Sequence, residues 1–276
     1  MTVRTATAPA SCNVLRETAG ADLVIVNDFA AAGRPTATFT ELVAALTGPY
    51  TYWETAPPPY GRERDMGGTD HADRWAADLR ASGRPVRALL GFCTGNLYSG
   101  ALAERIAGWQ DEPPRLILID PEVSSRRPIL DHYERMIGRL SRVLTPEQSA
   151  HALAEGRAAF DRPGPPLALA AEISDLCRRI VQPGFERSGF SPARAQEYVA
   201  LFNAYLYWFA AADELDTVGT WAAGTAINGE TPGFGLDTFA DPQRTELVAH
   251  AVHVPVAHNE LLRSPVVAAL VDELLS

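Results

Sequence analysis

The sequence predicts an α/β fold, with a mostly parallel central sheet flanked by helices and a helical lid inserted before the last strands. Three observations lead there. From Leu23 to Ile119, short apolar strands alternate with helical stretches, the pattern of parallel strands joined by crossover helices. The strands are nearly unbroken apolar runs, which suits a sheet covered on both faces. From about Pro121 to Asp216 the strands stop and only helical patterns remain, after which strands resume.

The elements follow in order. The first twenty residues are polar, rich in Ala and Thr, and read as loosely ordered. Leu23–Val26 is a compact strand running into Asn27-Asp28-Phe29-Ala30, and Phe39–Leu46 is a helix stopped by Gly48 and Pro49. Tyr50–Trp53 reads as the next strand, residues 70–81 as a helix, Val86–Leu90 as a strand and Asn96–Gly108 as a helix. Arg115–Ile119 is the fourth strand. Helices are expected at Ile129–Leu144, Pro146–Phe160, Pro166–Val181 and Pro192–Leu215, then strands within Val218–Ile227 and Leu247–Val256, and a last helix at Pro265–Leu275. Residues 1–123 and 217–276 are thus assigned to the sheet core and 124–216 to the lid. A separate helical domain with a structural role is the alternative for 124–216.

A chain of 276 residues is long enough for one large domain or two small ones. Its net charge of −10 argues against nucleic acid or an anionic membrane as the main partner. The apolar run Tyr198–Ala212 carries Asn203 in its middle and is too short to span a membrane, so it reads as a buried helix. The N-terminal stretch has no apolar core of a signal peptide. Three cysteines, Cys12, Cys93 and Cys177, show neither CxxC pairing nor metal spacing, and an odd count fits a reducing cytoplasm. No cofactor or metal is expected.

The chemistry concentrates at Gly91-Phe92-Cys93-Thr94-Gly95, a G-x-C-x-G between a buried strand and a helix. A nucleophile elbow needs this arrangement: the side chain sits on a strained turn, and small flanking residues let strand and helix pass closely. The helix N-terminus aims unpaired N–H groups at the sulfur and favours the thiolate. An inert cysteine in a tight turn is the alternative. Cys177, beside Ile173, Leu176 and Ile180, reads as core packing.

A thiol nucleophile needs a base and a group to orient it. On α/β-hydrolase folds the order is nucleophile, acid, histidine. His258, in the loop before the final helix, is the best-placed base; His253 competes, and His250 sits in the strand. For the acid, Asp120 ends the fourth strand at the carboxyl edge of the sheet, where loops build sites, while Glu230 and Asp237 follow the next strand. The backbone N–H of Thr94 is one oxyanion donor, and that of Phe29 or Ala30 the other.

These stretches resemble the thioesterase family that serves nonribosomal peptide and polyketide assembly lines. The likeness rests on Leu23–Gly33, on Pro59-Tyr60-Gly61-Arg62-Glu63-Arg64 against the family's P-G-R-x-x-R, and on the elbow. It extends to the gap of 27 residues from Cys93 to Asp120, and to His258-Asn-Glu-Leu-Leu-Arg-Ser-Pro265. The resemblance implies an acyl, aminoacyl or peptidyl group delivered on a carrier protein's phosphopantetheine arm. It also supports Asp120, His258 and Phe29 in their roles. Cysteine replaces the family's usual serine, so the acyl group stays an activated thioester. That favours transfer, amide formation or cyclisation over hydrolysis. An editing thioesterase that hydrolyses misprimed carriers is the runner-up; a cysteine hydrolase of lactones or esters and a non-catalytic carrier- or ligand-binding relative are further options. Arg126, Arg127, Arg135, Arg139 and Arg142 cluster where an acidic carrier could dock, or form a solvated helix face.

Overall fold

The structure, a computed structural model, describes residues 10–29, 36–59, 61–240 and 246–276. Its described residues divide into two compact units: one runs to Pro57 and includes Gly68–Val123 and Leu215–Ser276, the other comprises Pro58–Gly67 and Ser124–Glu214.

The first unit is built on a seven-stranded sheet. Its strands are β1 (Cys12–Arg16), β2 (Leu23–Asn27), β3 (Thr51–Thr55), β4 (Val86–Phe92), β5 (Arg115–Ile119), β6 (Thr225–Asn228) and β7 (His250–His253), in the order β1-β3-β2-β4-β5-β6-β7. Only the β1–β3 pair is antiparallel. Alternate side chains explain the apolar runs. Val24, Val26, Leu90, Ile117 and Ile119 share one cluster with α1 (Phe39–Ala45) and the C-terminal helix, Pro265–Leu275. The intervening Leu23, Ile25, Leu89 and Leu118 are just as buried on the opposite face. On that side α3 (Gly95–Ile106) packs on β2, β4 and β5, and α2 (Gly68–Ser82) packs on α3. The helix α1 opens with a capping box, in which the Thr38 N–H donates to the Glu41 carboxylate at 2.7 Å.

Two expectations for this unit need correction. Cys12–Arg16 is a strand, not loose chain, while residues 1–9 lie outside the described residues. As an edge strand it pairs on one side only, so it lacks the apolar run that marks the others. The Arg16 guanidinium anchors it, donating to the carbonyls of Leu46 at 2.8 Å and Gly48 at 2.7 Å beyond the end of α1. The apolar stretch from Val218 begins as a 3-10 helix, Val218–Ala223, and becomes strand only at Thr225. Its residues pack on α3 as well as β5, and the Trp221 indole N–H donates to the Asn96 carbonyl at 3.1 Å.

The second unit contains α4 (Arg126–Arg139), α5 (Pro146–Asp161), α6 (Pro166–Leu176), α7 (Gln182–Arg187) and α8 (Pro192–Ala211). With the insertion's helices thus named, the C-terminal helix is α9. A Thr145–Gln148 capping box and Pro146 start α5. Between α6 and α7, Cys177–Val181 forms a π turn. Pro183 lies just beyond it; proline offers no N–H to an i−4 carbonyl and crowds that carbonyl, and the wider turn accommodates this. From Asn203 to Ala212 every residue is buried, so the apolar run is helix core. Among the described residues no helix is long and apolar enough to cross a membrane. The segment Pro58–Gly67, expected with the sheet, groups here, where Glu63–Asp65 packs on α8.

Candidate active site

The elbow follows from close packing. Cys93 has φ 53°, a left-handed conformation that is strained for a side-chain-bearing residue. A Cβ at Gly95 would lie 2.0 Å from the Asn27 carbonyl oxygen, so only glycine lets α3 start against β2. The turn is pinned from beneath: the Asn96 amide donates to the carbonyls of Cys93 at 2.9 Å and Ile119 at 3.1 Å. The Cys93 side chain is half-buried, whereas Cys12 and Cys177 are buried. Burial pushes the Cys12 thiol up to about 11 and the Cys177 thiol higher still, which leaves both as packing groups.

Asp120 ends β5, also with positive φ, 41°. Its Oδ2 meets His258 Nδ1 at 2.8 Å and its Oδ1 accepts the Gly229 N–H at 2.6 Å. Gly235, φ 58°, closes the cradle: a Cβ there would lie 2.8 Å from Asp120 Oδ1 and 2.3 Å from Asn228 Oδ1. His258 opens the 3-10 turn His258–Arg263, and its ring is sandwiched between Phe92 at 4.8 Å and Phe234 at 4.1 Å, centroid to centroid. With Nδ1 on Asp120, Nε2 is the nitrogen left to face the sulfur. Glu230, Asp237, His250 and His253, the competing candidates, are all exposed.

Sequence reasoning missed Glu122. It is buried, and the Cys93 thiol donates to its Oε2 at 3.4 Å while the Gly235 N–H donates to Oε1 at 3.3 Å. Burial raises its carboxyl above the usual range, with His258 nearby pulling the other way. Ligand atoms of Cys93, Glu122 and His258 lie within 4.8 Å of one another. Thiolate, carboxylate and imidazole together are also a set that suits zinc, and an ion held there would occupy the sulfur.

Of the oxyanion candidates, Thr94 directly precedes α3. The Phe29 N–H points at the Asp28 carboxylate, 2.7 Å away. Ala30 lies outside the described residues.

No family model matches the chain, and no curated protein matches it at a significant level. Solved structures do. The NocB thioesterase domain from the nocardicin cluster superposes with a TM-score of 0.55 at 16% identity, covering 97% of this chain and 99% of that one. Its covalent complex with a fluorophosphonate nocardicin G analog gives 0.57 at 17%, covering 96% and 99%. The Vlm2 thioesterase domain, carrying genetically encoded 2,3-diaminopropionic acid and bound with a dodecadepsipeptide, gives 0.52 at 18%, covering 96% and 97%. The sheet order, the strained turn after β4 and these superpositions together establish that this chain has the α/β-hydrolase fold.

Proposed function

We propose that this protein is a thioesterase-type acyltransferase, which takes an acyl, aminoacyl or peptidyl group from a carrier-bound phosphopantetheine thioester onto Cys93 and passes it to an acceptor in natural-product biosynthesis. The observation that carries the reading is the joint placement of a strained elbow thiol and a buried His258–Asp120 pair. His258 takes the thiol proton as Cys93 attacks the thioester carbonyl, and Asp120 holds the imidazole in the tautomer that accepts at Nε2. The Thr94 and Phe29 N–H groups stabilise the tetrahedral oxyanion; Phe29 does so once the Asp28 carboxylate releases it. His258 then returns the proton to the departing pantetheine sulfur. The product is again a thioester, so the acyl group remains activated for transfer, amide formation or cyclisation.

The fold of NocB and Vlm2 supports a thioesterase in this setting, and residues 124–216 serve as the lid. Carrier docking falls to Arg135, Arg139 and Arg142, which are exposed. Arg126 is committed to carbonyls at the end of α5, including Phe160 at 2.7 Å, and Arg127 pairs with Asp131 at 2.9 Å. Charge reversal at the three exposed arginines is expected to slow turnover of carrier-bound donors more than that of free pantetheine donors; equal effects on both would remove the docking assignment.

The test is loading. Incubation with a panel of acyl-pantetheine donors is expected to give an acyl adduct on Cys93 by intact mass, absent in Cys93→Ala. The chain contains no lysine, so no lysine side chain competes for the label. If neither protein loads or turns over any donor, the reading fails. Decay of the adduct in water alone, against decay with an amine or a second carrier, separates editing hydrolysis from transfer.

A further inference from the structure

Glu122 sits on the opposite account from the His258–Asp120 pair: a buried acid that the triad does not use. It follows Asp120 by two residues, and its own N–H donates to the Cys93 carbonyl at 3.4 Å, so it is tied to the elbow by backbone as well as side chain. Its side-chain oxygens accept from neutral donors, the Cys93 thiol and the Gly235 N–H, and no arginine pairs with it among the described residues; His258 is the neighbouring group able to carry positive charge. A buried carboxyl without a permanently charged partner is costly to keep.

Proton counting indicates what it is for. Attack of water on an acyl thioester gives acid plus thiol, with protons balanced. Attack of an amine that arrives as ammonium gives amide plus thiol and one proton more. One of the two protons leaving nitrogen returns to the Cys93 sulfur through His258; the other needs a second base. We propose that Glu122 is that base, and that the acceptor of this enzyme is accordingly a primary amine bound as its ammonium ion. The inference rests on the acyl-transfer reading above.

The order of events follows from the thiol hydrogen bond. In the free enzyme the S–H occupies Glu122 Oε2. Loss of that hydrogen, whether to an acyl group or to a base as the sulfur attacks a reagent, leaves the oxygen free to accept from an ammonium. The ammonium gives one proton to Glu122. Its nitrogen forms the C–N bond, the C–S bond breaks, and the second nitrogen proton reaches sulfur by way of His258. Glu122 then releases its proton to solvent. The titratable groups facing it are Cys93 from the elbow, His258 from the last loop and Asp120 from β5.

Two experiments test this. In the first, acyl-Cys93 enzyme made from acetyl-pantetheine is mixed with ethylamine. Glu122→Gln is expected to lower the ratio of aminolysis to hydrolysis about tenfold or more; Glu122→Asp restores part of that ratio. An unchanged ratio overturns the proposal. The second needs no acyl donor: Cys93 is alkylated with 2-bromoethylammonium and with iodoacetamide. Wild type is expected to favour the cationic reagent, and Glu122→Gln to lose that preference. Equal preference in both proteins overturns the proposal even if Cys93 loads. A lost preference in a protein that takes up no acyl group sustains ammonium recognition and sinks the thioester reading instead.

Discussion

Along α4–α8, the ion pairs stay at the surface. Arg157 pairs with Glu134 at 2.7 Å and Arg127 with Asp131 at 2.9 Å, all on side chains at least a quarter exposed, and Arg162–Glu172 and Arg179–Glu155 do the same. At the carboxyl end of the sheet, Asp120, Glu122 and His258 are buried together, and Cys93 and Asp120 hold left-handed backbone. Exposed pairs contribute little because water screens them. Buried acids and strained turns persist only where the surrounding structure over-determines them. The difference teaches where the molecule's stability is put to chemical use.

Four changes would break or sharpen that contrast. The largest effect is expected from Asp120→Asn, which keeps the shape but offers His258 the wrong partner at Nδ1: adduct formation on Cys93 should slow by about a thousandfold or more, measured by intact mass over time. A loss below tenfold would detach Asp120 from the reaction. Next, Gly95→Ala forces a Cβ against the Asn27 carbonyl and should cost about 3 kcal/mol or more in urea unfolding; a near-neutral result would mean that α3 can shift away from β2.

His71 comes third. Both its ring nitrogens lack partners, its ring packs against Trp75 and Tyr98, and burial lowers it to about 4. Above pH 6.5 it is neutral folded or unfolded. As pH falls from 6.5 towards 4, only the unfolded chain takes up the proton, so stability falls, by about 3 kcal/mol in all. His71→Leu should flatten that part of the stability–pH curve; an unchanged slope would place the acid sensitivity elsewhere. The smallest effect is expected at the surface: Arg127→Ala should shift stability by less than about 1 kcal/mol, and a larger loss would show that the helical unit relies on its ion pairs.

Much of the sheet was legible because its strands obey local rules. Leu23–Val26 and Arg115–Ile119 are apolar runs that the two covered faces require. The edge strand Cys12–Arg16 was not legible, since one partner and an arginine anchor leave no such run. The same divide runs through the candidate site. Cys93 announces itself by glycine spacing between strand and helix, and Asp120 and His258 by their places after strands. Glu122 carries no local mark. It follows an Asp-Pro in a loop, and its burial depends on the Gly235 turn, more than a hundred residues later. Phe234, which stacks on His258, was hidden for the same reason.

The cradle around Asp120 has a consequence for recognising kin. Cysteine and serine can exchange at an elbow with little change in shape, so the nucleophile is a poor badge of ancestry. Gly235 has no such latitude, because any larger residue would collide with the Asp120 carboxylate and the Asn228 side chain. Chains that share this site should therefore be traceable by an acid two residues past the strand-end aspartate together with a glycine at the distant turn. Whether that pair accompanies cysteine more often than serine at the elbow would date the acid relative to the exchange of the two.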